Sequence, residues 1–118
     1  MAINEYCVRL DRNGYAPSIM VTEAGVCWWC NRYAPTERHE IFSGPLRKKS
    51  KELGLWVDLC PECHRTGKNA VHQSKDTAIR IKNMAQIAAM NKYGWTEEEF
   101  VNRFYRSYLH YRRIENEL

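Results

Sequence analysis

The chain has 118 residues, 44% of them hydrophobic and 12% aromatic, a size suited to one domain with a moderate core that a structural metal would help to hold. A formal net charge of +4 fits a polyanionic partner without demanding one, and the plentiful aromatic residues argue against disorder. No apolar run approaches the roughly 20 residues that a membrane helix needs, and MAINEYCVRLD lacks the apolar centre of a secretory signal, so no membrane role and a cytoplasmic location are expected.

Residues 1–26 are expected to form strands. Tyr6, Val8 and Leu10 alternate with Cys7, Arg9 and Asp11, and Asn13-Gly14 is a hairpin-turn signal ahead of Ile19, Met20 and Val21. Residues 27–73 hold nearly all of the unusual chemistry, and residues 74–118 read as two helices. The first helix is predicted from about Ser74 to Asn91. Ile81, Met84, Ala85 and Ala88 fall on one stripe, and Gly94 lies just beyond the end. The second begins at Thr96, where Thr96 and Glu99 form a capping box and Trp95 and Phe100 occupy the positions of a hydrophobic staple. Phe100, Phe104, Tyr108 and Tyr111 then make an aromatic face, expected to pack against the rest of the protein rather than to stack bases.

Cys27-x-x-Cys30 and Cys60-x-x-Cys63 each place two thiols on one tight turn, and Pro61 helps to shape the second. Cytosolic thiols stay reduced, so the two pairs predict a four-sulfur zinc site rather than disulfides. Such a site has no open position. Its expected role is structural: it staples the two turns together and closes the loop that contains Arg38-His39-Glu40-Ile41-Phe42. Cys7 is left over and is expected to be a small core residue.

Three of the four histidines, His39, His64 and His72, lie in or beside this knuckle. Singly, His39 reads as a half-buried strand residue, His64 as a substitute zinc ligand or a turn residue, and His72 as part of a helix cap. Together, with Glu40 attached, they are better explained as a second metal site. His110 belongs to the far helix and reads as an ordinary surface residue. Two basic runs border the cluster, Arg47, Lys48, Lys49 and Lys51 on one side and Arg65 and Lys68 on the other. They are expected to meet nucleic-acid phosphates without reading bases.

The order CxxC, then RHEIFSGPLRKKSKELGLWVDLCPECHRTGKNAVH, resembles the HNH endonucleases of the ββα-metal type, in particular the small forms of bacteriophage genomes. YGWTEEEFVNRFYRSYL is similar to the tail of those proteins, and the resemblance spans Val26 to Leu109. It implies an α+β fold in a single domain: a zinc-stapled ββα-metal unit with N-terminal strands and two C-terminal helices. His39 and Glu40 would lie on the first strand, Leu55–Leu59 on the second, and His64 at the start of the following helix.

The implied activity is metal-dependent hydrolysis or nicking of DNA that leaves a 5′-phosphate and a 3′-hydroxyl, in a monomer or small oligomer encoded by a phage and acting in its host's cytoplasm. A structural zinc and a second divalent ion (Mg2+, Mn2+, Ni2+, Co2+ or Zn2+) would serve it. Aligned on Ile41, the family pattern makes His39 a metal ligand and Glu40 the base. Aligned on the histidine, it makes His39 the base, an imidazole whose ordinary pKa of roughly 6.5 suits proton transfer near neutrality. The chain departs from the family where Pro45-Leu46-Arg47 replaces Asn-Arg after the glycine. The alternative is a catalytically inactive zinc module that binds nucleic acid or inhibits a protein partner such as a host defence nuclease.

Overall fold

The computed structural model describes residues 2–110 and has an α+β architecture. Two four-residue strands, β1 (Glu37–Glu40) and β2 (Trp56–Leu59), pair antiparallel with His39 opposite Val57 and Glu40 opposite Trp56. Val57 and Leu59 are β-branched or bulky and point into the core, as does His39 across from them. A bond from Ile41 N–H to the Leu55 carbonyl extends the ladder at 3.1 Å.

Between the strands, Pro45 starts a single 3-10 turn (Gly44–Leu46) that runs into α1 (Arg47–Glu52). The basic run is thus a helix, in keeping with the helix propensity of Arg, Lys and Glu. Its one buried side chain is Ser50. The Ser50 hydroxyl donates to the Leu55 carbonyl at 2.5 Å and accepts the Phe42 N–H at 3.1 Å, tying the helix to both strand ends. Gly54, at φ +72°, then reverses the chain, and a Cβ there would lie 2.3 Å from the Pro17 carbonyl oxygen.

A five-residue turn of π geometry (Glu62–Thr66) follows β2, and α2 (Lys75–Tyr93) begins at a Ser74 cap that accepts from Thr77 N–H. The resemblance places a helix start at His64. The structure puts His64 in this short turn, and the long helix begins only at Lys75. Gly94, in the left-handed conformation, ends α2 as expected. The apolar stripe is rotated relative to expectation: Ile81, Ala85, Gln86 and Ala89 are buried, whereas Met84 is exposed. Gln86 is kept inside by hydrogen bonds, accepting Tyr108 N–H at 2.6 Å and donating to Ser107 Oγ at 3.1 Å.

Helix α3 (Glu97–Phe104) carries the full capping box of Thr96 and Glu99, and the staple residues Trp95 and Phe100 face each other at 6.4 Å between ring centroids. Phe100, Phe104 and Tyr108 are buried against Phe42, so the aromatic face packs into the core. Tyr111 lies outside the described residues. His110 is exposed beside Glu97, but α3 ends at Phe104 with Tyr105 in the left-handed conformation, so Tyr108 and His110 lie beyond the helix rather than on it as expected.

The expected N-terminal strands do not form. Residues 2–26 are turns, with isolated bridges from Ile3 to Arg9 and from Val26 to Tyr33. Side chains win over strand pairing here. Asn4 Oδ1 accepts Tyr6 and Val8 N–H, and Asp11 Oδ1 accepts Asn13 and Tyr15 N–H. Cys7 sits at φ 61° and is exposed, not in the core, because the Asn4-centred turn throws it outward.

Ser50→Ala leaves the buried Phe42 N–H without its acceptor. The expected loss of stability is about 1–3 kcal/mol, read as a lowered midpoint in urea unfolding with an unchanged slope.

Candidate metal centres

The two CxxC turns meet. The sulfurs of Cys27, Cys30, Cys60 and Cys63 all lie within 4.8 Å of one another, and no two are joined as a disulfide. Cys30 and Cys60 Sγ are 3.9 Å apart, against about 3.8 Å for the edge of a tetrahedron with 2.3 Å zinc–sulfur bonds. The first turn is built by Asn31 in the left-handed region and by the Asn31 N–H bond to the Cys27 carbonyl. Trp28 N–H donates to the Asp58 carbonyl at 2.8 Å, joining the turn to β2.

The four cysteines can hold a structural metal such as zinc, as the spacing predicts. Burial alone would raise the Cys60 thiol, but the Cys63 backbone N–H and the Arg32 guanidinium, 3.4 Å from its sulfur, bring it down to about 6. Burial and the neighbouring sulfurs push Cys63 up instead. Arg32, which also pairs with Glu62 at 3.0 Å, was not singled out in the sequence.

His39, His64 and His72 form a second cluster, with one ring nitrogen from each within 4.8 Å of the others. His39 comes from β1 and His64 from the π turn. The backbone folds His72 back onto that turn: Val71 N–H bonds the Cys63 carbonyl at 2.8 Å and His72 N–H the His64 carbonyl at 3.2 Å. Gly67 permits this return, because a Cβ there would lie 2.6 Å from the Glu62 carbonyl oxygen. The second cluster is therefore attached directly to the first.

His64 is oriented by Glu37, whose carboxylate lies 2.8 Å from His64 Nδ1. A proton on Nδ1 leaves His64 Nε2 as a bare lone pair, and that nitrogen faces His72 Nε2 at 3.0 Å. Arg65 and His64 together hold the Glu37 carboxyl down at about 2. His39 is nearly fully buried, and among the described residues its ring makes no hydrogen bond. Burial, then the neighbouring His64 and His72, push it down to about 4, and burial also lowers His72. A buried imidazole with no protein partner, facing two others, is an arrangement that could hold a metal ion. Glu37 escaped sequence reasoning, although its place two residues before His39 puts both side chains on one strand face.

Glu40 and Arg38 take the other face of β1. Glu40 accepts from Arg47 Nε at 2.6 Å. Burial would raise its pKa, but Arg47 and the Tyr15 hydroxyl outweigh burial and lower it. Glu40 is thus not brought into the imidazole cluster.

Several of the expected phosphate-binding residues already have partners. Arg47 is paired with Glu40, Arg65 bonds Glu37 through two nitrogens at 2.7 and 2.6 Å, and Lys49 donates to the Arg103 carbonyl at 2.8 Å. Lys48 is highly exposed, 3.8 Å from Glu52, Lys51 lies over the Tyr15 ring, and Lys68 is exposed. Among the described residues no helix is long and apolar enough to cross a membrane.

Purified protein is expected to carry about one zinc per chain at the four-sulfur centre, measured by elemental analysis. Chelation should lower the thermal midpoint, and Cys27→Ser should lower both zinc content and midpoint. No protein-family model, curated protein or solved structure matches this chain, and its functional reading rests on the geometry above.

Proposed function

We propose that this protein is a metal-dependent endonuclease of the HNH type that hydrolyses or nicks DNA, with His39, His64 and His72 holding the catalytic cation. The observation that carries this reading is the buried His39 imidazole, whose only ring neighbours in the cluster are two further imidazoles within ligand distance. A divalent cation bound there would supply positive charge where a phosphodiester becomes more negative during hydrolysis. Three nitrogen ligands suit Zn2+, Ni2+ or Co2+ better than Mg2+, which favours oxygen.

In this reading His39 is a ligand, and the proton-accepting role falls to Glu40, the alternative that the family pattern leaves open. Glu37 positions His64 by fixing the tautomer that turns Nε2 toward the cluster. Glu40 lies across β1 from the imidazoles and is held by Arg47, so it would have to leave that pair to take the role. Lys48, Lys51 and Lys68 are the basic residues left to neutralise flanking phosphates, with Arg47 and Arg65 acting mainly on carboxylates.

The test is conversion of supercoiled plasmid to nicked or linear form with Mn2+, Ni2+, Co2+, Zn2+ or Mg2+ added to protein whose thiolate centre is already filled. His39→Ala is expected to abolish conversion in every metal. Glu40→Gln should reduce it by about 100-fold or more if that carboxylate is the base, and near-wild-type nicking would remove it from that role. Glu37→Gln is expected to weaken cation binding at the imidazole cluster by about 10–100-fold, read by calorimetric titration with Ni2+. Wild-type protein that stays inactive in all five metals would favour the inactive nucleic-acid-binding or inhibitory module.

A further inference from the structure

The far face of β1 carries a second feature that the proposed chemistry does not use. Arg38 lays its guanidinium over the Trp56 ring, 3.7 Å from the centroid, and 4.6 Å from that of Tyr15. Trp56 is locked in place, its indole N–H bonded to the Ala16 carbonyl at 2.8 Å, and Tyr15 stands edge-on to it at 6.0 Å. Arg38 is therefore held over a fixed aromatic ring while its side chain stays 38% exposed.

The surface cleft around it measures about 540 Å3, within the range of small-ligand sites, and Leu10, Ala16 and Pro17 extend its apolar lining. Two more guanidiniums, Arg9 and Arg12, line the same cleft. Both are exposed, and among the described residues neither has a salt bridge or a side-chain hydrogen bond. Asp11 is the one carboxylate in the lining. It is already engaged by the Asn13 and Tyr15 N–H groups, and its 4.0 Å approach to Arg38, like the 3.9 Å approach of Asp58, is at the outer limit of an ion pair.

We propose that this cleft binds one unpaired nucleotide of a single DNA strand, the base lying against the Arg38 plane and the flanking phosphates meeting Arg9 and Arg12. Three cations around an apolar floor select an anion that has a flat apolar part. Guanidinium planes on aromatic supports stack exposed bases, which a closed duplex keeps hidden. Arg38 adjoins His39 in sequence, so a strand gripped here and crossing the β1 edge would be led toward the imidazole cluster. That the strand is DNA rests on the nuclease reading, which it narrows to single-stranded or frayed substrates.

The test is fluorescence anisotropy of a labelled thymidine 12-mer, with its duplex for comparison, and with no metal added beyond that of the thiolate centre, so that binding is read without cleavage. Wild type is expected to bind the single strand about tenfold or more tightly than the duplex. Arg9→Ala/Arg12→Ala should flatten the slope of log affinity against log salt by about 1.4, since each phosphate left unneutralised on a single strand removes about 0.7. Arg38→Lys keeps the charge but not the plane, and should weaken single-strand binding while sparing the duplex. Circular dichroism and the thermal midpoint establish that each variant is folded.

Equal affinity for both forms, an unchanged salt slope in the double variant, or displacement of the strand by a glutamate 12-mer at equal concentration would overturn the proposal. The plasmid assay keeps the two readings apart. Protein that never cuts but binds single strands through these arginines retains the cleft and loses the nuclease. Protein that cuts while the arginine variants bind normally does the reverse.

Discussion

Four sulfur atoms drawn within 4.8 Å of one another are the constraint on which the rest of the structure depends. A pair of four-residue strands is too short to persist alone in water. Bringing together Cys30 and Cys60, thirty positions apart, costs on the order of 3 kcal/mol of chain entropy that the hairpin's own ladder must otherwise offset. A cation shared by the thiolates would offset it instead. The second CxxC turn leads straight into His64, and the return of Val71 and His72 onto that turn is bonded to Cys63 itself. The imidazole cluster is in this sense an outgrowth of the sulfur clasp, and its alignment is inherited from it.

Charge is distributed with similar economy. Glu37, Glu40 and Glu62 each engage an arginine, so the positive charge immediately around the two centres is largely balanced within the protein. Among the described residues, cations without an ion pair lie further out, such as Arg9 and Arg12 in the N-terminal turns and Lys68 beyond the second cysteine pair. A polyanion would meet free guanidiniums at the cleft around Arg38, on the opposite side of β1 from the imidazoles.

Much of the scaffold was legible because it is written in local chemistry. Two CxxC spacings, the Thr96–Glu99 box and the glycine after α2 each act within a few residues, and each forms as read. The N-terminus misled for the same local reason. Tyr6, Val8 and Leu10 alternate like a strand, but Asn4 and Asp11 capture the backbone N–H groups a strand would need, and nothing in the alternation reveals which of the two wins. Other features depend on partners far away in the chain. Ser50 reads as a polar interruption in a basic run until Leu55 and Phe42 close over it, and Arg65 reads as a free cation until Glu37 arrives from β1. The convergence of His39, His64 and His72 was inferred from their nearness to one staple, whereas the opposite orientation of Glu40 follows only from where β1 pairs.

That pairing has a further consequence. Side chains along β1 alternate, so Glu37 and His39 serve one side of the sheet while Arg38 and Glu40 serve the other. Adding or deleting a single residue within these four positions would exchange the two sides in one event, burying a guanidinium among the imidazoles and turning His39 toward solvent. A change of length here is expected to disturb both sides at once, whereas replacement of one residue by another alters only the side that residue serves.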